Sequence, residues 1–380
     1  MKGKILLLSR SIPPLHSGAS MVVRNLAQQF SPNEMVIAGE KPFEEIGYDW
    51  EDTWPEIHYL SKSWPINRRG RDKWRTLQFP LVLARTLRLV LQKKCDVILA
   101  IYSNIEFFFA GYLVARLTGA RFFPYYHNTL VENRSGLGLL LAKWLQSSVF
   151  STSECVFVIS EGLAEYYRSH YPDVEFSVLV HSFTGPVPSL SPRPVSQSPL
   201  HLVILGNPTD ACLDAIKRVC EAVSRMPDCW LEFYSGTPRS FFESHGLIGD
   251  RIQHRTIPQA ELFQRLREAD ILVLPHGFTG SLSEVEYQTI FPTRTIDYFN
   301  SGRPILAHSL PDCYLTRFLR QHNCALVVDR PDPSDLVDAI TKLRHDQALQ
   351  NELIGNAIKV SEMFRASLVA EQLRSRILNK

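Results

Sequence analysis

The chain has 380 residues, more than one hydrophobic core usually serves, so two domains are expected. A hydrophobic share of 45% and a charged share of 21% are those of a soluble globular protein, and a formal charge of +2 points to no class of partner. The seven cysteines (Cys95, Cys155, Cys212, Cys220, Cys229, Cys313 and Cys324) are scattered, odd in number and never spaced C-x-x-C, which argues for a reducing cytosol and against a disulfide framework or a zinc site.

In chain order, Lys4 to Ser9 is a continuous apolar run, as in a parallel strand buried on both faces. A Pro- and Gly-rich loop, Ile12 to Gly18, leads to an amphipathic helix over Met21 to Phe30, with Val22, Leu26 and Phe30 on one stripe. The alternation continues with strand Val97–Ile101, helix Phe107–Leu117, strand Arg121–Tyr126 and helix Leu137–Ser147. Strand Cys155–Ile159 and helix Glu161–His170 follow. Residues 185–199 hold five prolines and four serines, the composition of a linker. The alternation then restarts: strand His201–Leu205, helix Asp210–Ser224, strands Trp230–Tyr234 and Arg251–Arg255, helix Gln259–Ala269, strand Ile271–Leu274. A polar loop over His276 to Thr289, the segment Phe291–His308, strand Ala325–Val328 and helix Pro333–Arg344 complete it, with a C-terminal helix over Ser361 to Leu378. The fold class this predicts is α/β, with two Rossmann-like domains whose parallel sheets face a central cleft. The expected boundaries are 1–184, the linker 185–199, 200–360, and 361–380.

The segment Phe291–His308 carries the sharpest chemistry. Pro292 suits the first helical position and Gly302 a left-handed C-terminal cap, while Pro304 to Ala307 reads as a short buried strand. The helix start then offers the Thr293 hydroxyl, the Arg294 guanidinium and, one turn on, the Asp297 carboxylate. Free N–H groups with an Arg suit phosphate, and an acid one turn away suits a ribose diol, so together they suggest a nucleotide. The plainer reading is a capped helix with Arg294 and Asp297 as an i,i+3 surface pair.

A second feature is basic. Residues 62–94 hold Lys62, Arg68, Arg69, Arg71, Lys73, Arg75, Arg85, Arg88, Lys93 and Lys94 against Asp72, with Trp64, Trp74 and Phe79 interleaved. This suits an anionic membrane surface, or simply a solvated face. No nucleic-acid-binding motif accompanies it, so no nucleic acid is expected as a partner. Lys2 and Lys4 precede only Ile5–Leu8 before Ser9 and Arg10, so no signal peptide is expected, and no apolar run approaches the roughly 20 residues of a bilayer span. The expected location is the cytoplasm, including the inner face of the cell membrane.

Ala269–Pro275 followed by Phe291–Ala307 resembles the retaining glycosyltransferases of family 4, which have the two-Rossmann GT-B fold. The resemblance implies a nucleotide-sugar donor, a glycan or lipid-linked acceptor of cell-envelope assembly, and no metal or other cofactor. It implies that Asp297 holds the donor ribose and that Thr293 and Arg294 serve the diphosphate. It aligns Gly18 with a glycine loop after the first strand, Gly206 and Asn207 with a Gly-Arg pair, and Ile257 with the nucleobase contact. His127, after the strand ending at Tyr126, aligns with a histidine near the donor sugar. Three positions depart from the pattern. Thr289 stands where the family has a glutamate, Ile290-Phe291-Pro292 replace a glycine-rich turn, and Asn207 replaces an arginine with Lys217 too far along its helix to substitute. Arg294 therefore carries more of the phosphate charge, and Glu284 or Glu286 are the candidates for the missing carboxylate unless both belong to a solvated loop. The expected catalytic residues are His127, Arg294 and Glu286. On the same residues Gly18 also reads as an ordinary turn and His127 as a satisfied loop histidine. Alternative functions are a nucleotide-sugar epimerase of the same fold and a non-catalytic nucleotide- or glycan-binding protein.

Overall fold

The computed structural model describes residues 3–15, 17–43, 50–63, 68–102, 104–185, 194–195 and 199–378. The chain forms two compact units, residues 1–184 with 365–380, and residues 185–364. Most of the Pro/Ser-rich linker, residues 186–193 and 196–198, lies outside the described residues, as do Trp64 to Asn67 of the basic segment.

The first unit is built on β1 (Lys4–Leu8), α1 (Gly18–Ala27), β2 (Met35–Lys41), β3 (Glu56–Lys62), α2 (Arg68–Lys93), β4 (Cys95–Tyr102), α3 (Ile105–Thr118), β5 (Arg121–Tyr126), α4 (Gly136–Thr152), β6 (Val156–Val158), α5 (Glu161–His170) and β7 (Phe176–Val178). All seven strands are parallel in the order β3-β2-β1-β4-β5-β6-β7. This is the doubly wound order, with its reversal between β1 and β4. Two apolar layers cover the sheet. One joins Leu6, Leu8 and Ile98 to α2–α5, and the other joins Ile5, Leu7 and Leu99 to α1. Side chains alternate between these layers along β1, which is why its sequence is apolar throughout. Helices α1, α3 and α5 begin where short polar side chains replace the missing intrahelical bonds. Ser17 accepts from Ser20 N, Asn104 from Glu106 N and Ser160 from Leu163 N.

The second unit holds β8 (Leu200–Leu205), α6 (Leu213–Ser224), β9 (Cys229–Tyr234), α7 (Arg239–Ser244), β10 (Ile252–Arg255), α8 (Gln259–Glu268), β11 (Ile271–Pro275), α9 (Glu284–Thr289), α10 (Arg294–Phe299), β12 (Ile305–His308), α11 (Tyr314–Gln321), β13 (Leu326–Val328), α12 (Pro333–His345) and α13 (Gln347–Ser361). Its six parallel strands run β10-β9-β8-β11-β12-β13, with the reversal between β8 and β11. After a 3₁₀ turn at Glu362–Phe364, α14 (Ala366–Leu378) belongs to the first unit. Val369, Ala370, Leu373 and Ile377 enter the same apolar layer as α1, and the Arg374 guanidinium lies 4.1 Å from the Phe30 ring. No helix among the described residues is long and apolar enough to cross a membrane.

The structure corrects several sequence expectations. Strands β2, β3 and β7 and helices α7, α11 and α13 are additional to the elements expected from the sequence, although α11 buries Leu315, Phe318 and Leu319 on one clear face. The expected single helix over Ser361–Leu378 is interrupted at Glu362–Phe364. The loop expected over His276–Thr289 contains α9, and the helix expected from Pro292 begins only at Arg294. α10 therefore has six residues, and Thr293 precedes it in helical conformation without a side-chain capping bond.

Candidate functional site

In the second unit, the segments that follow the carboxyl ends of β8, β10 and β11 carry Gly206, Asn207, Ile257, Thr293, Arg294 and Asp297 of the residues expected to hold the donor; Gly18 lies in the first unit. The centre is the reversal between β8 and β11, where parallel sheets open a crevice for ligands. Arg294 spans it: Nη1 donates to Leu205 O at 2.8 Å and Nη2 to Pro275 O at 3.3 Å. One turn later Tyr298 does the same from deeper inside, its hydroxyl accepting from Leu205 N at 2.7 Å and donating to Val273 O at 3.1 Å. An i,i+4 pair on α10 thus fastens both central strands beyond the point where their own ladder, Ile271 with Leu202 and Leu272 with Val203, ends.

This changes the part Arg294 plays. Two of its five N–H groups are engaged by backbone carbonyls, so its position is fixed by the fold. Its charge is not neutralised, because among the described residues no carboxylate forms an ion pair with it. Gly206 follows β8 with φ 97°, and a Cβ there would stand 3.3 Å from Arg294 Nη1. Both constraints favour glycine, and its absent side chain leaves the backbone beside a fixed cation open to an approaching anion.

Asp297 is exposed, on the side of α10 away from the buried Ile296, Tyr298 and Phe299. Desolvation by the surrounding protein pushes its carboxyl up to about 7. Because water still reaches the group, screening keeps the rise at or below that value. No ion pair with Arg294 forms, so the i,i+3 surface-pair reading does not hold.

Asn207 is exposed beside Gly206, and its Oδ1 accepts from Ser235 Oγ at 2.8 Å. Ser235 O in turn accepts from His254 Nε2 at 3.0 Å and Thr256 Oγ1 at 3.1 Å, which ties together the ends of β9 and β10. Ile257 follows, half-buried. Ile257, Asn207, Gly206 and Arg294 therefore lie along one sheet edge in that order. Ser235 and His254 were not anticipated, because no local pattern marks either one.

The carboxylates considered for position 289 separate clearly. Glu284 is exposed at the first turn of α9, whereas Glu286 is buried, so neither lies in a solvated loop as expected. Thr289 is buried, and its hydroxyl returns to Val285 O at 2.8 Å.

A further network, in which half-buried Asp214 and Arg218 meet the buried His308, was missed from the sequence. Arg218 donates to Asp214 Oδ2 at 2.7 Å and from Nε to His308 Nε2 at 2.9 Å, with its guanidinium 4.6 Å from the Phe278 ring centre. His308 Nδ1 donates to Val328 O at 2.9 Å, which fixes a neutral tautomer, and burial pushes its pKa down to about 4. Asp214 also accepts from Phe278 N at 3.0 Å, so the network fixes the loop after β11. His276, buried at the start of that loop, donates to Tyr287 O at 2.7 Å and has its pKa lowered by burial.

In the first unit, His127 follows β5 with its ring 4.4 Å from Tyr125 and 6.1 Å from His181. Burial, and secondarily His181, holds its pKa well below the usual histidine value, so the ring is neutral. Its Nε2 is buried and meets no hydrogen-bond partner among the described residues. Gly18 departs from expectation: it is the exposed first residue of α1, not part of a loop before a helix beginning at Met21. The glycine that the backbone does require near β1 is Gly39, where a Cβ would meet Ser9 O at 2.3 Å.

No family model matches the chain, and no curated protein does. Solved structures do. Sucrose-phosphate synthase from Thermosynechococcus elongatus aligns over 98% of this chain and 97% of its own, with a TM-score of 0.74 and 15% identity. HepE of Anabaena, in complex with UDP and glucose, aligns over 98% of both chains with a TM-score of 0.70 and 15% identity. MnaA of S. aureus, in complex with UDP, covers 100% of this chain and 98% of its own at a TM-score of 0.57 and 10% identity. Likeness at this identity establishes architecture: the chain has two parallel-sheet Rossmann-like domains in the GT-B arrangement of elements.

Proposed function

We propose that the protein is a nucleotide-sugar-dependent glycosyltransferase that moves a hexosyl group to a glycan or lipid-linked acceptor with retention of configuration. The observation that carries this reading is the line Ile257, Asn207, Gly206, Arg294 and Asp297 at the β8/β11 reversal. It offers a base contact, an open backbone, an uncompensated cation and an accessible carboxylate, the groups that a base, a diphosphate and a ribose diol call for. That HepE binds UDP-glucose on the same fold supports it.

In this proposal Asp297 accepts from the ribose hydroxyls, and the diphosphate lies against the Gly206 backbone and Thr293, facing Arg294. The bond from the anomeric carbon to the diphosphate oxygen breaks as the acceptor oxygen attacks the same face, and the acceptor proton passes to the leaving diphosphate. The protein's contribution is electrostatic: a cation already fixed by two carbonyls needs no reorganisation as negative charge develops. No metal is invoked, because Arg294 supplies the positive charge. His127 contacts the transferred sugar as a neutral hydrogen-bonding group, and Glu286 is the carboxylate assigned to its hydroxyls.

The test is nucleotide release from a panel of nucleotide-sugars, with and without candidate acceptors, in the presence of EDTA. Acceptor-dependent release with an axial or equatorial product matching the donor supports the reading, and failure of every nucleotide-sugar to bind refutes it. One observation favours a second reading, nucleotide binding without transfer. Thr289 places no carboxylate at the position where the resembling family has one, and binding without turnover would establish that reading instead.

A further inference from the structure

The helix α4 has two apolar faces, and only one is used by the core. Ala142, Leu145 and Val149 are buried against the sheet, as expected of an amphipathic helix. Leu137, Leu140, Leu141 and Trp144 occupy the opposite stripe at i, i+3, i+4 and i+7, and they face solvent, with Leu137 85% and Trp144 54% exposed. A helix apolar on both sides is ordinarily buried on both sides.

The stripe does not end with α4. Trp144 meets Phe109 of α3 edge-on at 6.2 Å, and Phe109 stacks on Phe79 of α2 at 5.6 Å. Beside Phe79, α2 exposes Leu77 (75%) and Leu81, and Arg88 continues that line two turns on. Three helices on one face of the sheet thus share an exposed apolar surface.

Charge decides what covers it. α4 contains Lys143, exposed, and no acidic residue; the sequence of α2 holds Arg68, Arg69, Arg71, Lys73, Arg75, Arg85, Arg88 and Lys93 against Asp72 alone, of which Arg88 is exposed, Arg85 donates to Leu60 O and Lys93 pairs with Glu56. A second copy of the chain would bring these two sets of like charges together, which is unfavourable. An anionic lipid surface answers both features at once, accepting leucine and tryptophan at the depth of the acyl boundary and pairing the flanking bases with headgroups.

We propose that the Leu137–Trp144 stripe of α4, with Leu77 and Leu81 of α2, inserts into an anionic phospholipid surface. The basic segment expected from the sequence supplies attraction, and α4 supplies the insertion that was not anticipated. Only the Asn128–Ser135 loop separates His127 from α4, so docking holds the carboxyl edge of the first sheet beside the lipid. On the reading of the function given above, that is where a lipid-linked acceptor is needed, but docking itself does not depend on it.

The experiment is vesicle co-sedimentation of the full chain, without donor or acceptor, using phosphatidylcholine vesicles with and without 30% (about one lipid in three) phosphatidylglycerol. The expected result is binding only to the anionic vesicles, reduced at least about tenfold in Leu137→Asp/Leu141→Asp, whose exposed positions leave thermal melting unchanged. Trp144→Phe keeps the binding but loses the part of the tryptophan blue shift that the wild type shows on vesicle addition. Failure of the wild type to bind anionic vesicles, or undiminished binding by the double variant, overturns the proposal. So does a wild-type dimer in solution that the double variant converts to a monomer without any vesicle binding.

Discussion

Replacing Arg294 by alanine separates its two duties. Removing the side chain deletes the bonds to Leu205 O and Pro275 O, and the uncompensated charge beside Gly206. Bonds from a charged donor contribute about 1.5–3 kcal/mol each, but the freed carbonyls lie at strand ends that water can reach, so the net loss of stability is about 2–4 kcal/mol. At roughly 2–4 °C per kcal/mol for a unit of this size, melting falls by about 4–16 °C. The lost contact to the diphosphate is of the same charge-assisted kind, so UDP affinity should fall about 10- to 150-fold. Uridine carries no phosphate and should keep its affinity within about threefold. Titration calorimetry of both ligands, at a temperature where the variant is folded, reads the difference directly. Equal losses for UDP and uridine would refute a phosphate role and leave Arg294 as a fastening between strands. Arg294→Lys sharpens the point, since it keeps the charge but lacks the planar fork that reaches two carbonyls at once.

Tyr298→Phe removes only the deeper fastening between Leu205 N and Val273 O, and should cost about 1–3 kcal/mol in denaturant unfolding with nucleotide binding preserved in the folded fraction. Gly206→Ala forces a side chain into φ 97° beside Arg294, so it should lose about 1–2 kcal/mol and weaken UDP binding as well, whereas normal stability would show that the loop relaxes freely. The His308 pKa is lowered in the folded protein from 6.5 to about 4, so the unfolded chain binds the proton first. This contribution, at most roughly 3 kcal/mol, is complete above pH 6.5 and lost as pH falls toward 4, and His308→Gln should flatten the stability curve across that window. Asp297 shifts the opposite way, to about 7, so its carboxylate costs stability as pH rises from 3.8 through 7. Asp297→Asn should therefore melt no lower than the wild type at pH 8, gaining under about 1 kcal/mol after screening, while uridine affinity falls about tenfold. An unchanged uridine affinity would remove Asp297 from the ribose site.

The parallel sheets were readable because their central strands, Lys4–Leu8 and Ile271–Pro275 among them, are apolar on both faces and cannot be mistaken for solvent-facing strands. Strand β3 was not, because Glu56, His58 and Lys62 interrupt the apolar pattern of a sheet edge. At the site, Arg294, Asp297 and Gly206 stood out through local chemistry: a cation and an acid one turn apart, and a glycine directly after a strand. What no local pattern could show is that Arg294 would spend two N–H groups on strands 89 and 19 residues away in sequence. The same limit hid the network of Asp214, Arg218 and His308, whose members come together only when β12 is placed beside β11. The exposed stripe on α4 was concealed for the opposite reason. Its leucines satisfy any sequence test for a core helix, and only three-dimensional packing shows which of its two apolar faces the core takes.

The threonine at position 289 gains a physical meaning from its surroundings. It is buried on α9 with its hydroxyl returned to Val285 O, on a helix whose Glu286 carbonyl already accepts from Ile290 N. A carboxylate there would lose its hydration and would need a donor the backbone does not supply, since nearby amides are engaged in the turns of α9. The turn that follows is Ile290-Phe291-Pro292, and Pro292 has no N–H to give. A threonine that returns its hydroxyl to its own helix suits such a buried position. Phe291 completes the change by stacking on Phe364 at 5.8 Å and meeting Phe318 at 5.0 Å, which turns a ligand-facing bend into part of the hydrophobic interior. On the proposed function, the transferred sugar must then be held from outside that bend, while Arg294 and Asp297 hold the nucleotide.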